Sequence, residues 1–429
     1  MAESSTSLRG NSAWMLLGNG VFAACQWGLL ALLTRLESKA TVGEYVLAMT
    51  VTTPIMALCL LQLRSVQATD SLREFAFSDY LGLRLLAIGV ALAAIMLVVW
   101  LRQYDRVTNG VIFAVAGIAF VDALHDVVYG LLQQRERMKW IARSLLLRGC
   151  VALVCFAILL RIGGGLPWAL VAIMVCRLVI LLFFDLRNVR AAIVLPGPRE
   201  RHDGPTVGAW RDVAPRFALA PIWRLFRLAL PLGLVMMLIV LGSNLPRFAI
   251  EEFAGKEALG VFGAIGYLSV AGTIAIGALG ESASARLARS YAQGERREFL
   301  ELVGKLSGIA IGLGMAGVLL AVVAHRPLLT WLYGAAYADQ GQILVWMMVA
   351  AGIGYLGSML GYSVTAARLF RAQMPLFALI VAVSAICSWW LIPAHGLFGA
   401  AWVPVITATV QVAGLLLLLA WALRRNGER

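Results

Sequence analysis

The stretch YLGLRLLAIGVALAAIMLVVWL, residues 80–101, carries a single charge, Arg84, in 22 residues. A hydrocarbon core roughly 30 Å thick needs about 20 apolar residues per helix, so this stretch is long enough to cross a membrane. Working outward, similar runs recur at 13–33, 44–63, 109–132, 144–161, 166–186, 227–245, 258–280, 302–324, 341–364, 374–392 and 397–423. The composition agrees, with 61% hydrophobic residues and a mean hydropathy of +0.84. Long period-2 stretches are nearly absent, which excludes an outer-membrane barrel. The reading is an all-α polytopic membrane protein with twelve transmembrane helices.

The connecting loops alternate between arginine-rich and arginine-poor. Sorted by loop, 25 of the 36 Lys and Arg fall on one side, 8 on the other, and Arg84, Arg148 and Arg177 lie inside spans. The positive-inside rule makes the richer side cytoplasmic, so both termini are expected inside and the span number even. In a soluble protein the net charge of +13 would suggest nucleic acid. Here the excess sits on cytoplasmic loops beside anionic lipid headgroups, and membrane lipids rather than nucleic acid are the expected partners.

The first dozen residues are polar, and the apolar run after them is a full span without an A-x-A-like site, unlike a secretory signal. The six cysteines all fall inside spans without metal-type spacing. We therefore expect no disulfide, no zinc site and no cofactor.

Residues 187–223 interrupt the spans with five prolines and many arginines. The first part reads as a cytoplasmic linker, and residues 210–227, where aromatic and basic side chains mix, suit a helix lying in the interface. Three domains follow: an N-terminal lobe at 1–186, the linker at 187–223 and a C-terminal lobe at 224–429. The lobes share a pattern. Leu33-Thr34-Arg35-Leu36 is matched by Leu245-Pro246-Arg247-Phe248, and Gly43-Glu44-Tyr45 by Gly260-Val261-Phe262. With six spans per lobe, both copies enter from the same side, giving a parallel repeat about an axis along the membrane normal. Two such lobes around a central cavity make the geometry of a rocker-type transporter. The external loops are short, leaving no room for an external folded domain.

A charge inside a span costs about 2.5–3.5 kcal/mol at the bilayer centre and usually faces a cavity or a partner. Asp122, His125 and Asp126 are spaced i, i+3, i+4 on one helical face. Arg177 lies roughly 13 Å from the nearer end of its span, at 1.5 Å rise per residue, too deep for easy snorkelling. Two readings compete. Either Arg177 lines a cavity and attracts an anion while the Asp122 cluster balances charge or carries protons, or an ion pair between the fourth and sixth spans only fixes packing. His125 is either a proton relay or a hydrogen-bonded structural histidine. Arg84 and Arg148, about four residues from span ends, either snorkel or face the cavity. Arg35 and Arg247 occupy matching positions suited to a cavity rim or to interface anchoring. Asn19, Gln26 and Asn244 line the same cavity or bond between helices. Pro54, Pro231 and the glycines Gly272, Gly277, Gly308, Gly312, Gly357 and Gly361 predict bends and close helix contacts. Gly308/Gly312 and Gly357/Gly361 have the G-x-x-x-G spacing. The sequence has no P-loop and no catalytic motif, so neither an ATP-driven engine nor an enzyme is indicated.

The run from Asp126 through Tyr129-Gly130-Leu131-Leu132-Gln133-Gln134-Arg135-Glu136-Arg137-Met138 to Arg148-Gly149 resembles bacterial polysaccharide flippases. These are the Wzx-type lipid-linked oligosaccharide translocases of the multidrug/oligosaccharidyl-lipid/polysaccharide exporter superfamily. Arg35…Gly43-Glu44-Tyr45 is similar to that family's first loop, although the Leu-Gly-Pro pattern common there is missing. Twelve spans also leave no extra helix pair like that of the fourteen-helix lipid II flippases. The resemblance implies two six-helix bundles in a V, a cationic cavity, and alternating access. The substrate would be a polyprenyl-diphosphate-linked oligosaccharide moved outward across the inner membrane for O-antigen or exopolysaccharide synthesis. A polysaccharide polymerase and export machinery would be partners. Arg35, Arg84, Arg148, Arg177 and Arg247 would bind the diphosphate; Asn19, Gln26 and Asn244 the sugars; Asp122, His125 and Asp126 the coupling ion. The rivals are a cation-coupled multidrug antiporter of the same superfamily and, less favoured, a membrane-embedded glycan-modifying enzyme.

Overall fold

The computed structural model describes residues 8–70, 74–194, 214–367 and 369–426. All regular structure among them is helical. The α-helices are α1 (Leu8–Leu36), α2 (Lys39–Leu60), α3 (Leu63–Thr69), α4 (Phe77–Arg102), α5 (Arg106–Gln134), α6 (Met138–Arg161), α7 (Gly165–Ile180), α8 (Leu186–Val194), α9 (Leu219–Gly266), α10 (Val270–Ala292), α11 (Arg296–Tyr333), α12 (Gly341–Ala366), α13 (Phe370–His395) and α14 (Leu397–Asn426).

Eleven helical segments among the described residues are long and apolar enough to span a membrane. One of them, Leu219–Ser284, runs for 66 residues, about 100 Å at 1.5 Å per residue and far beyond one crossing. It contains both spans expected at 227–245 and 258–280, separated at Gly255, whose φ of 80° breaks the helix. The twelve expected spans are therefore all present. Several helices outrun their expected limits, because the backbone goes on pairing internally beyond the apolar core. Large side chains face outward, as in a protein solvated by lipid: Phe183, Val323 and Trp390 are 76%, 75% and 80% exposed.

Local chemistry sets the helix ends. The Thr41 amide donates to Ser38 Oγ at 3.1 Å, at the start of α2. Asp105 caps α5 by accepting from the Thr108 amide at 2.9 Å. Left-handed Leu61 and Gln62 end α2 and turn the chain into α3. Pro54 lies inside α2, and Pro231 lies in α9, where the one break in helical backbone is at Gly255 and not at the proline. In α11 the backbone breaks at Ala324, three residues before Pro327, whose missing N–H cannot continue the ladder.

The chain divides into two compact units. Unit 1 is residues 1–36 with 48–237; unit 2 is 37–47 with 238–429. The division falls inside α9, and residues 219–227 form the first part of that helix, continuous with the following span. Most of the expected linker, 195–213, lies outside the described residues. Unit 1 packs Leu63, Tyr80, Val127, Leu132, Ile141 and Leu225 into its main core. Unit 2 packs Leu287, Phe299, Leu306, Met359, Leu360 and Leu415.

Within unit 2 the paired glycine motifs meet. A Cβ on Gly43 would overlap the Lys256 carbonyl, and one on Gly260 would overlap the Lys39 carbonyl. Lys39 precedes Gly43 by four residues, as Lys256 precedes Gly260. Equivalent positions thus exchange the same contact, the reciprocity of a twofold pair, which fits a parallel repeat. Ion pairs flank the crossing, Lys39–Glu257 at 3.9 Å and Lys256–Glu44 at 3.8 Å. The ammonium of Lys39 also lies over the Tyr337 ring, 5.8 Å from its centroid.

The glycine expectation needs correcting elsewhere. Gly308, Gly312 and Gly361 meet nothing, nor does Gly277, whereas Gly272 accommodates Tyr355 and Gly357 lies against Gln411. The close backbone approach in this region is Gly314 of α11 against Gly352 of α12. A four-residue spacing marks a smooth stripe, but helix register decides which stripe meets a neighbour, and Gly308 and Gly312 are exposed.

Candidate functional site

The intramembrane charges of unit 1 converge around α5. Asp122 bridges two helices: one carboxylate oxygen accepts from Arg148 on α6 and the other from Arg177 on α7. One turn on, Asp126 accepts from Arg84 on α4 at 2.8 Å. Arg84 also donates to the Leu60 carbonyl at 2.9 Å, satisfying an orphan acceptor at the end of α2. Arg177 reaches Gln26 of α1 at 3.1 Å. Both Arg148 and Arg177 lie over the Phe22 ring, at 5.3 and 5.7 Å from its centroid.

The exposures are unequal. The arginine side chains are 1–5% exposed, but Asp122 is 33% and Asp126 26% exposed. The cations are therefore sealed behind the carboxylates they bind.

His125 does not join the two aspartates. It is fully buried and turned inward, with Nδ1 2.8 Å from Asp185 Oδ2 and Nε2 3.2 Å from the Arg177 carbonyl. Asp185 ends a five-residue π-helical stretch, Leu181–Asp185, between α7 and α8. A π turn inserts one residue into the helical register, and here it brings a carboxylate into the core. Ser144 donates to Asp185 at 2.8 Å and lies 2.7 Å from the Tyr129 hydroxyl, which accepts from Arg148 at 3.1 Å. A chain of polar contacts thus runs from Asp122 through Arg148, Tyr129 and Ser144 to Asp185 and His125. Three guanidinium groups pair with two carboxylates, and the third carboxylate, Asp185, is held by His125 and Ser144, so each buried charge has a partner.

Of the residues singled out in the sequence, Arg84, Arg148, Arg177, Asp122, His125, Asp126 and Gln26 come together in unit 1. The snorkelling alternative for Arg84 and Arg148 does not hold, because both side chains turn inward to carboxylates. The ion pair between the fourth and sixth spans is present, as Arg177–Asp122. Asn19 is exposed on α1, two turns before Gln26, and Arg35 is exposed in the last turn of that helix. Arg247 and Asn244 belong to unit 2, where Arg247 donates to Asn244 Oδ1 at 3.0 Å. Asp185, Tyr129 and Ser144 were not anticipated. The i, i+4 spacing of His125 and Tyr129 was a usable signal, whereas Asp185 lies at a span end, where a carboxylate is not costly enough to stand out. The six cysteines are free thiols. Among the described residues no His, Cys, Asp and Glu cluster suits a metal ion.

Replacing Ser144 with alanine is expected to cost about 1–2 kcal/mol, because Asp185 Oδ1 already lacks a partner and its other oxygen would lose one. Thermal denaturation in detergent checks this; an unchanged midpoint would mean that the polar chain is not formed.

Two helical units that carry twelve membrane-length spans, one of them holding a cluster of buried ion pairs, define an integral-membrane protein. The chain belongs to the polysaccharide biosynthesis protein family, whose model matches residues 8–284. It is 24% identical, over 91% of its length and 94% of the relative's, to the capsular polysaccharide biosynthesis protein CapF of Staphylococcus aureus. Its fold is that of the lipid II flippase MurJ in an inward closed conformation, with a TM-score of 0.70, 12% identity and coverage of 95% and 87% of the two chains. A point mutant of the Vibrio cholerae MATE transporter VcmN superposes with a TM-score of 0.60 at 16% identity, covering 97% and 96%.

Proposed function

We propose that the protein flips a polyprenyl-diphosphate-linked oligosaccharide across the cytoplasmic membrane by alternating access, feeding surface polysaccharide synthesis. The family match and the capsular relative support the polysaccharide setting. The observation that carries the reading is the pair of guanidiniums, Arg148 and Arg177, converging on one accessible point inside a membrane-spanning bundle. Arginine suits a diphosphate through its paired donors. The polyprenyl tail stays in lipid, since each CH₂ removed from it costs about 0.8 kcal/mol. Only the headgroup and sugars need a polar path; Gln26 and Asn19 in the first unit, and separately Asn244 and Arg247 in the second, are the donors and acceptors proposed for them. Arg35 and Arg84 complete the proposed set of cations.

In this reading both termini face the cytoplasm, and a polymerase and export machinery act on the flipped product. Turnover is coupled to the membrane potential, worth about 2.3 kcal/mol per charge per 100 mV, through Asp122, His125 and Asp126. Deletion of the gene followed by lipid extraction tests the function. The expected result is an intact lipid-linked oligosaccharide accumulating on the cytoplasmic face, with loss of one surface polysaccharide. Unchanged lipids with altered antibiotic susceptibility would favour the multidrug antiporter, a reading to which the fold shared with a MATE transporter lends support.

A further inference from the structure

The inverted exposure of the cluster raises a question the flippase reading leaves open: how an anion reaches cations that are 2% and 5% exposed. The carboxylate of Asp122 stands in front of both. It is already an anion held by two guanidiniums, one on each oxygen, which is the contact a phosphate group would make. We infer that Arg148 and Arg177 form a site for a diphosphate headgroup whose resting occupant is the Asp122 carboxylate, so that an anionic ligand binds by displacing it.

The surroundings are built to hold the two cations when Asp122 leaves. Both guanidiniums rest on Phe22 from α1. Gln26 holds Arg177, and Tyr129 holds Arg148. Arg148 Nε is buried without a partner, a donor still unspent. The other charged groups around the site are engaged elsewhere: Arg84 with Asp126, and His125 with Asp185. Asp122 alone neutralises half of the charge on its two partners, so a doubly charged headgroup matches the pair better than the carboxylate does. The device makes affinity modest by design, since every binding event must break two ion pairs, and it lets the headgroup leave again. The inference rests on the flippase proposal and names how its headgroup is received.

The test is binding to the full-length protein in nanodiscs, with undecaprenyl diphosphate in the lipid phase or inorganic pyrophosphate in the buffer. Asp122→Asn, close to isosteric and uncharged, is expected to bind the diphosphate at least tenfold tighter than the native protein. Asp122→Asn combined with Arg177→Gln is expected to lose that gain. A gain with both probes assigns recognition to the headgroup alone, and a gain with the lipid only shows that the headgroup arrives through the membrane; both support the inference. No gain with either probe, or a gain that survives in the double variant, overturns it. Should Asp122→Asn fail to fold, Arg148→Gln leaves Asp122 in a balanced one-to-one pair with Arg177 and is expected to bind at least tenfold more weakly than native. Unchanged binding there also overturns it. Glu298→Gln, at an exposed side chain of α11 paired with Arg286, serves as the control. A null result with Asp122→Asn alongside lipid accumulation on gene deletion would remove the displacement step and leave the flippase reading standing.

Discussion

Replacing Arg177 with methionine is expected to lower the stability of the first unit by about 3 kcal/mol and to abolish export. Breaking a buried ion pair by removing one partner costs about 3–5 kcal/mol, because the remaining charge stays buried. Asp122 is one-third exposed and keeps Arg148, so the lower end of that range applies. Gln26 loses its donor as well, and the Phe22 ring keeps only one of its two cations. Arg177→Lys is expected to fall between native and methionine, retaining the charge without the planar fork. Thermal denaturation in nanodiscs measures the first effect, and surface polysaccharide in a complemented deletion strain the second. A stable Arg177→Met protein with native export would remove this arginine from both structure and function.

Valine at Gly43 or at Gly260 is expected to destabilise by about 3 kcal/mol or more, the upper range for overpacking. Each added Cβ would overlap a backbone carbonyl, of Lys256 and of Lys39 respectively, and a backbone cannot step aside as a side-chain tip can. Two ion pairs that flank the crossing would be displaced with it. Gly308 provides the contrast. It is a helical glycine with open space around it, and alanine there is expected to be neutral or stabilising by up to about 1 kcal/mol through helix propensity. Parallel melting curves decide the matter: equal effects at Gly43 and Gly308 would mean the tight crossing is absent.

The fold was largely legible because each span is a run of apolar residues whose length the bilayer dictates. The helix ends were less so. Residues 219–227 mix aromatic and basic side chains, and their helical continuity with the following span is not marked by any change in that pattern. The charged residues in mid-span announced themselves by their cost, and most of them do meet. The pair between the fourth and sixth spans was one of two readings open, but the partners of Arg84 and Arg148 were not readable, since the side on which a buried arginine finds its carboxylate depends on helix rotation that spacing within one helix does not reveal. Asp185 shows the limit most clearly. Regular 3.6-residue periodicity carried through from α7 misplaces it, because the helix widens just before it.

That widened turn has an effect beyond the carboxylate it delivers. A turn that consumes an additional residue leaves everything after it lagging by about 100° of helical phase. α8 therefore emerges with a different side toward the bundle than α7 alone would have given it, and it is on that side that Val189 and Ala192 become fully enclosed. One irregularity of five residues thus sets the rotational timing of the chain's exit from its first six spans.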